Sequence, residues 1–336
     1  ALSGFEFMES KMRDRKHGGY YSKVTDDGGR KDPRKHAYLN AFALYGLTAY
    51  YRATTNRVAL EAAKELFRVL DLRAHDAVHG GYMEFFYDDW RPITDARESG
   101  YVGAIGHKTY NTHLHLLEAF AELCRAWPSD LVRQRLHELM LINSSTVRHP
   151  EFNHNIDAWL PDWTLVQEPR NLRASYGHDI ECVWLVLDAA RTLNVKEGIL
   201  KKWAESLCGA SIAFGYDAQH GGFYNGGPLG KPADDLRKTW WVQAEALVAM
   251  LDLFRLTRDR RYYDRFLQTL DFVEKFQVAK EGSWWATRAA DGSPTQDQQR
   301  SAPWHGAYHG GRAMIWCARL LDGMAGKNEA TPLKLF

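Results

Sequence analysis

Leu39-Asn-Ala-Phe-Ala-Leu-Tyr-Gly-Leu-Thr-Ala-Tyr-Tyr51 is apolar around most of a helical circumference. A helix with that distribution has no face for water and belongs inside a protein. Glu181-Cys-Val-Trp-Leu-Val-Leu-Asp-Ala-Ala190 reads the same way. The pattern predicts inner helices over Lys35–Tyr51, Tyr110–Arg125, His178–Arg191, Thr239–Leu256 and Ala307–Leu320. Between them, Val58–Leu70, Asp130–Leu141, Lys196–Ala213 and Arg260–Phe276 alternate charge with apolar residues, as outer helices would. Leu2–Met12 reads as the tail of a first outer helix.

A repeated turn separates the pairs. His17-Gly-Gly-Tyr20, His79-Gly-Gly-Tyr82 and His220-Gly-Gly-Phe223 are near copies, with degenerate versions at His149-Pro-Glu-Phe152 and Glu281-Gly-Ser-Trp284. They recur at intervals of about 60–70 residues, too long for a simple helical solenoid repeat but enough for a helix pair with an extended loop. Strict alternation of inner and outer helices closes into an α/α toroid, so the expected class is all-α in one domain.

Composition narrows the function. Forty-three Lys and Arg against 42 Asp and Glu leave a net charge of +1, no electrostatic footprint for nucleic acid or anionic lipid. No window approaches 18 uninterrupted apolar residues, so no membrane helix is expected. Cys124, Cys182, Cys208 and Cys317 lie scattered in apolar runs without zinc or disulfide spacing. They read as buried thiols of a cytoplasmic protein. Aromatics make up 13% of the chain, with 12 Trp beside 14 His, a composition suited to carbohydrate handling.

Polar clusters open the inner helices: Asn111-Thr-His-Leu-His115, Tyr176-Gly-His-Asp-Ile-Glu181, Trp240-Trp-Val-Gln-Ala-Glu245 and Trp304-His-Gly-Ala-Tyr-His309. Thr239, Asp179 and Asn111 taken singly read as helix caps. Several helices each placing His, Trp or Glu in their first two turns is a different matter. Asn111 and His115 (i, i+4), His178 and Glu181 (i, i+3), and Trp241 and Glu245 (i, i+4) each share a face, and those faces should converge on one cavity mouth. His113 and His115 point about 200° apart on a helix, so only one can face it, and no HExxH follows; no metal is expected. His17, His75, His79, His149, His154 and His220 read as loop anchors, and His107 and His113 as unremarkable. His115, His178 and His309 remain, with Glu181 and Glu245. Imidazoles can take and return a proton α to a carbonyl, whereas two carboxyls could serve a hydrolase. The residues alone leave both open.

Asn111–Ala119 (NTHLHLLEA), Ser175–Glu181 (SYGHDIE), Lys238–Ala246 (KTWWVQAEA) and Pro303–Arg312 (PWHGAYHGGR), with Asp32–Tyr38 (DPRKHAY) upstream, resemble the cellobiose 2-epimerase group of the N-acylglucosamine 2-epimerase superfamily. The resemblance runs end to end. It implies an (α/α)6 barrel that inverts C2 of the reducing-end glucose in β-1,4-linked disaccharides such as cellobiose and lactose, through a cis-enediolate, without metal, nucleotide or other cofactor. By the same resemblance, His178 and His309 are the acid/base pair and His115 assists ring opening. Glu181 and Glu245 support the histidines and hold hydroxyls, and Trp241 and Trp304 are platforms for the sugars. Asn111, Tyr38 and Trp184 are pocket positions. A monomer is expected. Against the family pattern the chain opens inside the third helix. The expectation is therefore one domain over residues 1–336 with five of six helix pairs, lacking the family's substrate-binding arginine, for which Arg312 is the candidate replacement. A glycoside hydrolase or lyase on the same toroid, and a non-catalytic sugar-binding remnant, stand as alternatives.

Overall fold

A computed structural model describes residues 1–326 apart from Ser99, Tyr101, Asp297 and Pro303. Pro303 of the fourth motif, and residues 327–336 of the expected domain, thus lie outside the described residues. Ten α-helices are present among those described. The inner ones are α2 (Ala37–Thr54), α4 (Tyr110–Ala126), α6 (Tyr176–Leu193), α8 (Trp240–Thr257) and α10 (Tyr308–Met324). The outer ones are α1 (Leu2–Phe7), α3 (Arg57–Arg73), α5 (Asp130–Leu141), α7 (Lys201–Gly215) and α9 (Arg260–Phe272). Local chemistry sets their ends. Asn56 Oδ1 accepts from the Val58 and Ala59 amides, and Ser129 Oγ from the Val132 amide, at helix starts. Thr55, Asn194 and Arg258 end α2, α6 and α8 in the left-handed region, with φ of 58°, 60° and 63°.

The inner helices form successive neighbours, α2 on α4, α4 on α6, α6 on α8 and α8 on α10, and each outer helix α3, α5, α7 and α9 packs on the inner helix before it. Phe5 of α1 stacks on Tyr50 of α2 at 4.8 Å. This is the α/α toroid layout. One continuous apolar core runs between the two layers and includes Leu44, Phe67, Leu117, Phe120, Val183, Leu187, Leu247 and Phe266.

The loops are where the repeat acquires a mechanism. Asp14, Asp76 and Asp217 stand three residues before the HGG histidines. Each Oδ1 accepts from the backbone amides two and three residues on, bending the chain as an Asx turn. Each Oδ2 receives the Nζ of a buried lysine, Lys35, Lys108 or Lys238, at 2.7–2.8 Å, and that lysine lies just ahead of an inner helix. The second glycine of each turn has a φ of 73–83°, a backbone region where a Cβ is costly. The amide that follows donates to the fourth residue of the inner helix: Tyr20 to Asn40, Tyr82 to His113, Phe223 to Gln243. In the degenerate third copy, Asn155 N–H donates to Asp179 at the same helical position. His113 and Asp179 are thereby loop anchors.

Two- or three-residue antiparallel ribbons then join successive repeats: Lys35-His36 with Phe85-Phe86, Lys108-Thr109 with Ala158-Trp159, Arg173–Ser175 with Gly226–Pro228, and Lys238-Thr239 with Thr287-Arg288. Clamp and ribbon together pin the start of each inner helix at one end of the ring. At the other end, α4, α6 and α8 each carry an acid followed three residues later by Arg. Arg52 meets Glu122, Arg125 meets Asp188, and Arg191 meets Asp252. This belt of paired charges ties neighbouring inner helices together below the apolar core.

Candidate active site

Pinning the inner helices in one register gives each position along them a fixed outlook. The fourth residue anchors a loop. The second and sixth, four apart and so on one face, look into the ring: Tyr38 and Phe42 on α2, Asn111 and His115 on α4, Trp241 and Glu245 on α8. On α6 the sixth residue is Glu181, beside His178, and on α10 the second is His309. A cavity of about 750 Å³ opens here, within the roughly 300–1,000 Å³ usual for small-molecule sites. Tyr38, Asn111, His115, His178, Glu181, Trp241, Trp304 and His309 line it, with Phe42, Trp240 and Tyr308.

The two histidines from α6 and α10 flank one indole: the Trp241 ring centroid is 4.7 Å from His178 and 5.6 Å from His309. His178 Nδ1 meets Ser175 Oγ at 2.8 Å, and burial, reinforced by His115 and His309, pushes its pKa down to about 3. It is a neutral imidazole near pH 7. His309 Nδ1 lies 2.6 Å from Glu245 Oε1; an acceptor there assigns the ring proton to Nδ1 and leaves Nε2 as a base. His115, buried between Tyr38 and Phe42 at 5.2 and 4.8 Å, has its pKa lowered by burial against the opposing pull of Glu118.

Beneath the histidines lies Arg312. Its Nη2 donates to Glu181 Oε1 at 2.8 Å and Glu245 Oε1 at 2.7 Å, and its Nη1 to Glu118 and to the Tyr308 hydroxyl. That hydroxyl in turn donates to Glu118. The guanidinium also lies over the Trp184 ring at 4.8 Å. Burial opposes ionisation of Glu118, but Arg312 and His115 outweigh it and hold the acid at about 2. Glu245 is held below the usual range in the same way, by Arg312 and His309. Glu181, Glu245 and His309 present ligand atoms within 4.8 Å of one another. The site between the two carboxylates is filled by Arg312 itself, so the cationic partner of this cluster is the protein's own guanidinium.

Two expected pocket residues lie elsewhere. Trp184 is fully buried below the cavity, its Nε1 donating to Glu245 Oε2 at 2.8 Å; it sits three residues after Glu181 and follows that face down toward the belt. Glu245 is also below the lining. His309, Arg312 and Trp184 engage both its oxygens, which leaves it to orient His309 rather than to hold a hydroxyl. Sequence reasoning passed over Phe42, Trp240, Tyr308 and Glu118. Phe42 was legible as i+4 from Tyr38, and Glu118 as i+3 from His115. Arg312, weighed only as a replacement for an arginine that meets substrate, instead organises the carboxylates.

The sequence model of the N-acylglucosamine 2-epimerase (GlcNAc 2-epimerase) family matches residues 1–312. The cellobiose 2-epimerase of Bacteroides fragilis is 31% identical over 309 residues, spanning 90% of this chain and 76% of that protein. Among solved structures, the cellobiose 2-epimerase from Spirochaeta thermophila superposes with a TM-score of 0.85 at 31% identity, over 97% of this chain and 80% of that one. The cellobiose 2-epimerase from Bacillus thermoamylovorans gives 0.83 at 27% identity, over 96% and 80%. With an α/α toroid, a cavity lined by histidines and tryptophans, and a family match over nearly its whole length, the chain belongs to the N-acylglucosamine 2-epimerase family of sugar epimerases.

Proposed function

We propose that this chain inverts C2 of the reducing-end glucose of a β-1,4-linked disaccharide such as cellobiose or lactose. The observation that carries the reading is the pair of imidazoles, from α6 and α10, facing one cavity across the Trp241 indole. The open-chain aldose presents an acidified C2–H. One histidine removes that proton, and the electron pair moves through C1=C2 onto O1 as a cis-enediolate. Rotation about C2–C3 offers the other face, and the second histidine returns a proton. His178, kept neutral by burial, and His309, oriented by Glu245, suit those roles, each worth about 10²–10⁴-fold. His115 lies where it can serve hemiacetal opening. Trp304, 58% exposed at the cavity rim, and Trp241 offer faces for pyranose rings, and Tyr38 and Asn111 offer hydrogen bonds. No cofactor enters the scheme, and we propose a monomeric cytoplasmic enzyme.

Glycoside hydrolysis needs two carboxyl groups flanking the bond. Only Glu181 of the pair reaches the cavity, because Glu245 is taken by His309, Arg312 and Trp184; this weighs against the hydrolase alternative. Incubation with cellobiose in D₂O tests the proposal. The expected product is the C2 epimer with its linkage intact and deuterium at C2. Monosaccharides, or binding without turnover, would overturn it.

A further inference from the structure

The site holds one guanidinium against three acids. Glu118 and Glu245 each have a second polar partner that shares their charge, Tyr308 and His309 respectively. Glu181 does not. Its Oε1 accepts from Arg312, its Oε2 has no hydrogen-bond partner among the described residues, and the side chain is 0% exposed while lining the cavity. The groups around it are Tyr38 on α2, His115 and Glu118 on α4, His178 on its own helix, Glu245 on α8, and Tyr308, His309 and Arg312 on α10. Two of these are ionised acids already claiming the single guanidinium. A third buried negative charge has no counter-ion left, and such a group takes up a proton instead.

Resting on the epimerase reading, we infer that Glu181 is a neutral carboxylic acid in the resting protein, and that its Oε2–H donates to the sugar oxygen on which the enediolate charge develops. The geometry suits this: the carbonyl Oε1 accepts from Arg312, and Oε2 has no partner among the described residues to compete for its proton. Burial, then the charge of Glu245, raise the Glu181 pKa well above the usual carboxylate range. When a histidine takes the C2 proton, the C–H pair becomes C1=C2 and the carbonyl pair goes to O1, which receives the Glu181 hydrogen bond. When the second histidine protonates C2, the O1 pair re-forms C1=O and Glu181 keeps its proton. Glu181 is then a catalytic residue of the oxyanion-hole kind.

Two measurements test this. Glutamine copies a carboxylic acid here, with an oxygen for Arg312 and an N–H for the cavity. Glu181→Gln should hold C2 exchange within about tenfold of wild type, whereas Glu181→Ala should lower it by about 10²–10³-fold, the effect of deleting one oxyanion donor. Glu181→Gln as inactive as Glu181→Ala would overturn the donor role. Independently, ¹³C NMR of protein labelled at the glutamate carboxyl should show two resonances in the protonated range at pH 7. One is from Glu84, whose pKa burial pushes up to about 8, and the second is absent from Glu181→Gln, or from Glu181→Asp if the Gln variant fails to fold. A set of protonated resonances that replacing Glu181 leaves unchanged would overturn the inference whatever reaction the enzyme performs. A protonated Glu181 in a protein that exchanges no C2 hydrogen would instead sink the epimerase reading and the donor role with it.

Discussion

Glu245→Gln separates orientation of His309 from mere occupancy of space. Three donors converge on the carboxylate: the His309 ring at 2.6 Å, Arg312 Nη2 at 2.7 Å and Trp184 Nε1 at 2.8 Å. Glutamine fills the same volume but offers one oxygen and one NH₂, so at least one buried donor faces another donor. An unsatisfied buried donor costs about 1–3 kcal/mol, and breaking a buried ion pair about 3–5 kcal/mol. Arg312 keeps Glu118 as partner, so the expected loss lies near the lower end, about 3 kcal/mol. The chemical cost is separate. Without a carboxylate to fix its Nδ1 proton, His309 loses its tautomer and its aim, and turnover should drop by about 10²–10⁴-fold, with KM little changed because Glu245 does not line the cavity. Thermal melting reads the first effect, and C2 deuteration kinetics in D₂O read the second. A variant that folds with near wild-type turnover, or one that loses only KM, would refute the orienting role.

Further expectations concern the pocket rim, pH and the repeated turn. Trp304→Ala should raise KM with kcat nearly unchanged, since an exposed rim indole binds ground and transition states alike; a fall in kcat alone would contradict it. Burial lowers the pKa of His36 and His113 to about 4 and of His178 to about 3. These three groups bind more protons in the unfolded chain than in the folded one below about pH 6.5, while Glu84 and Glu181, with pKa values raised by burial, pull the other way between pH 7 and 5. The histidine contribution is full above that pH and is lost as pH falls toward 4, and a melting temperature that failed to fall between pH 6 and 4 would count against these burials. Gly81 has a φ of 73°, and a Cβ there would stand 2.6 Å from Trp163 and 2.7 Å from His113. Gly81→Ala should cost at least about 1–3 kcal/mol, measured by denaturant titration; a neutral result would mean that the clamp is not rigid.

Much of this arrangement was legible in the residues. Four inner helices, α2, α4, α6 and α8, were recognisable because a helix without a polar face has only one place to go, whereas α10 keeps an exposed face that includes Met314 and Leu321. Tyr110–Arg125 and Asp130–Leu141 match the structure at or within one residue of each end. The HGG copies marked the turns. What pins them was not read. Asp14, Asp76 and Asp217 precede each copy at constant spacing, and their lysines each stand before an inner helix, a pattern in plain sequence that needs three dimensions to be seen as a clamp. Ribbons of two or three residues are too short to show alternation. In the site, eight expected residues share the cavity: helical spacing paired Asn111 with His115 and His178 with Glu181, whereas Tyr38 was reached only through the family resemblance. Arg312 carried none, since its role is set by acids on three other helices. Trp184, expected as a pocket position, lies below the cavity instead, where Glu245 accepts its N–H.

Deuterium exchange started separately from each C2 epimer, in His178→Ala and His309→Ala, tests the two-histidine scheme most directly. If each imidazole serves one face of C2, neither variant epimerises. Each still washes deuterium into one epimer only, and the two variants choose opposite epimers. Equal exchange from both epimers in either variant, or wild-type turnover in one of them, would contradict it.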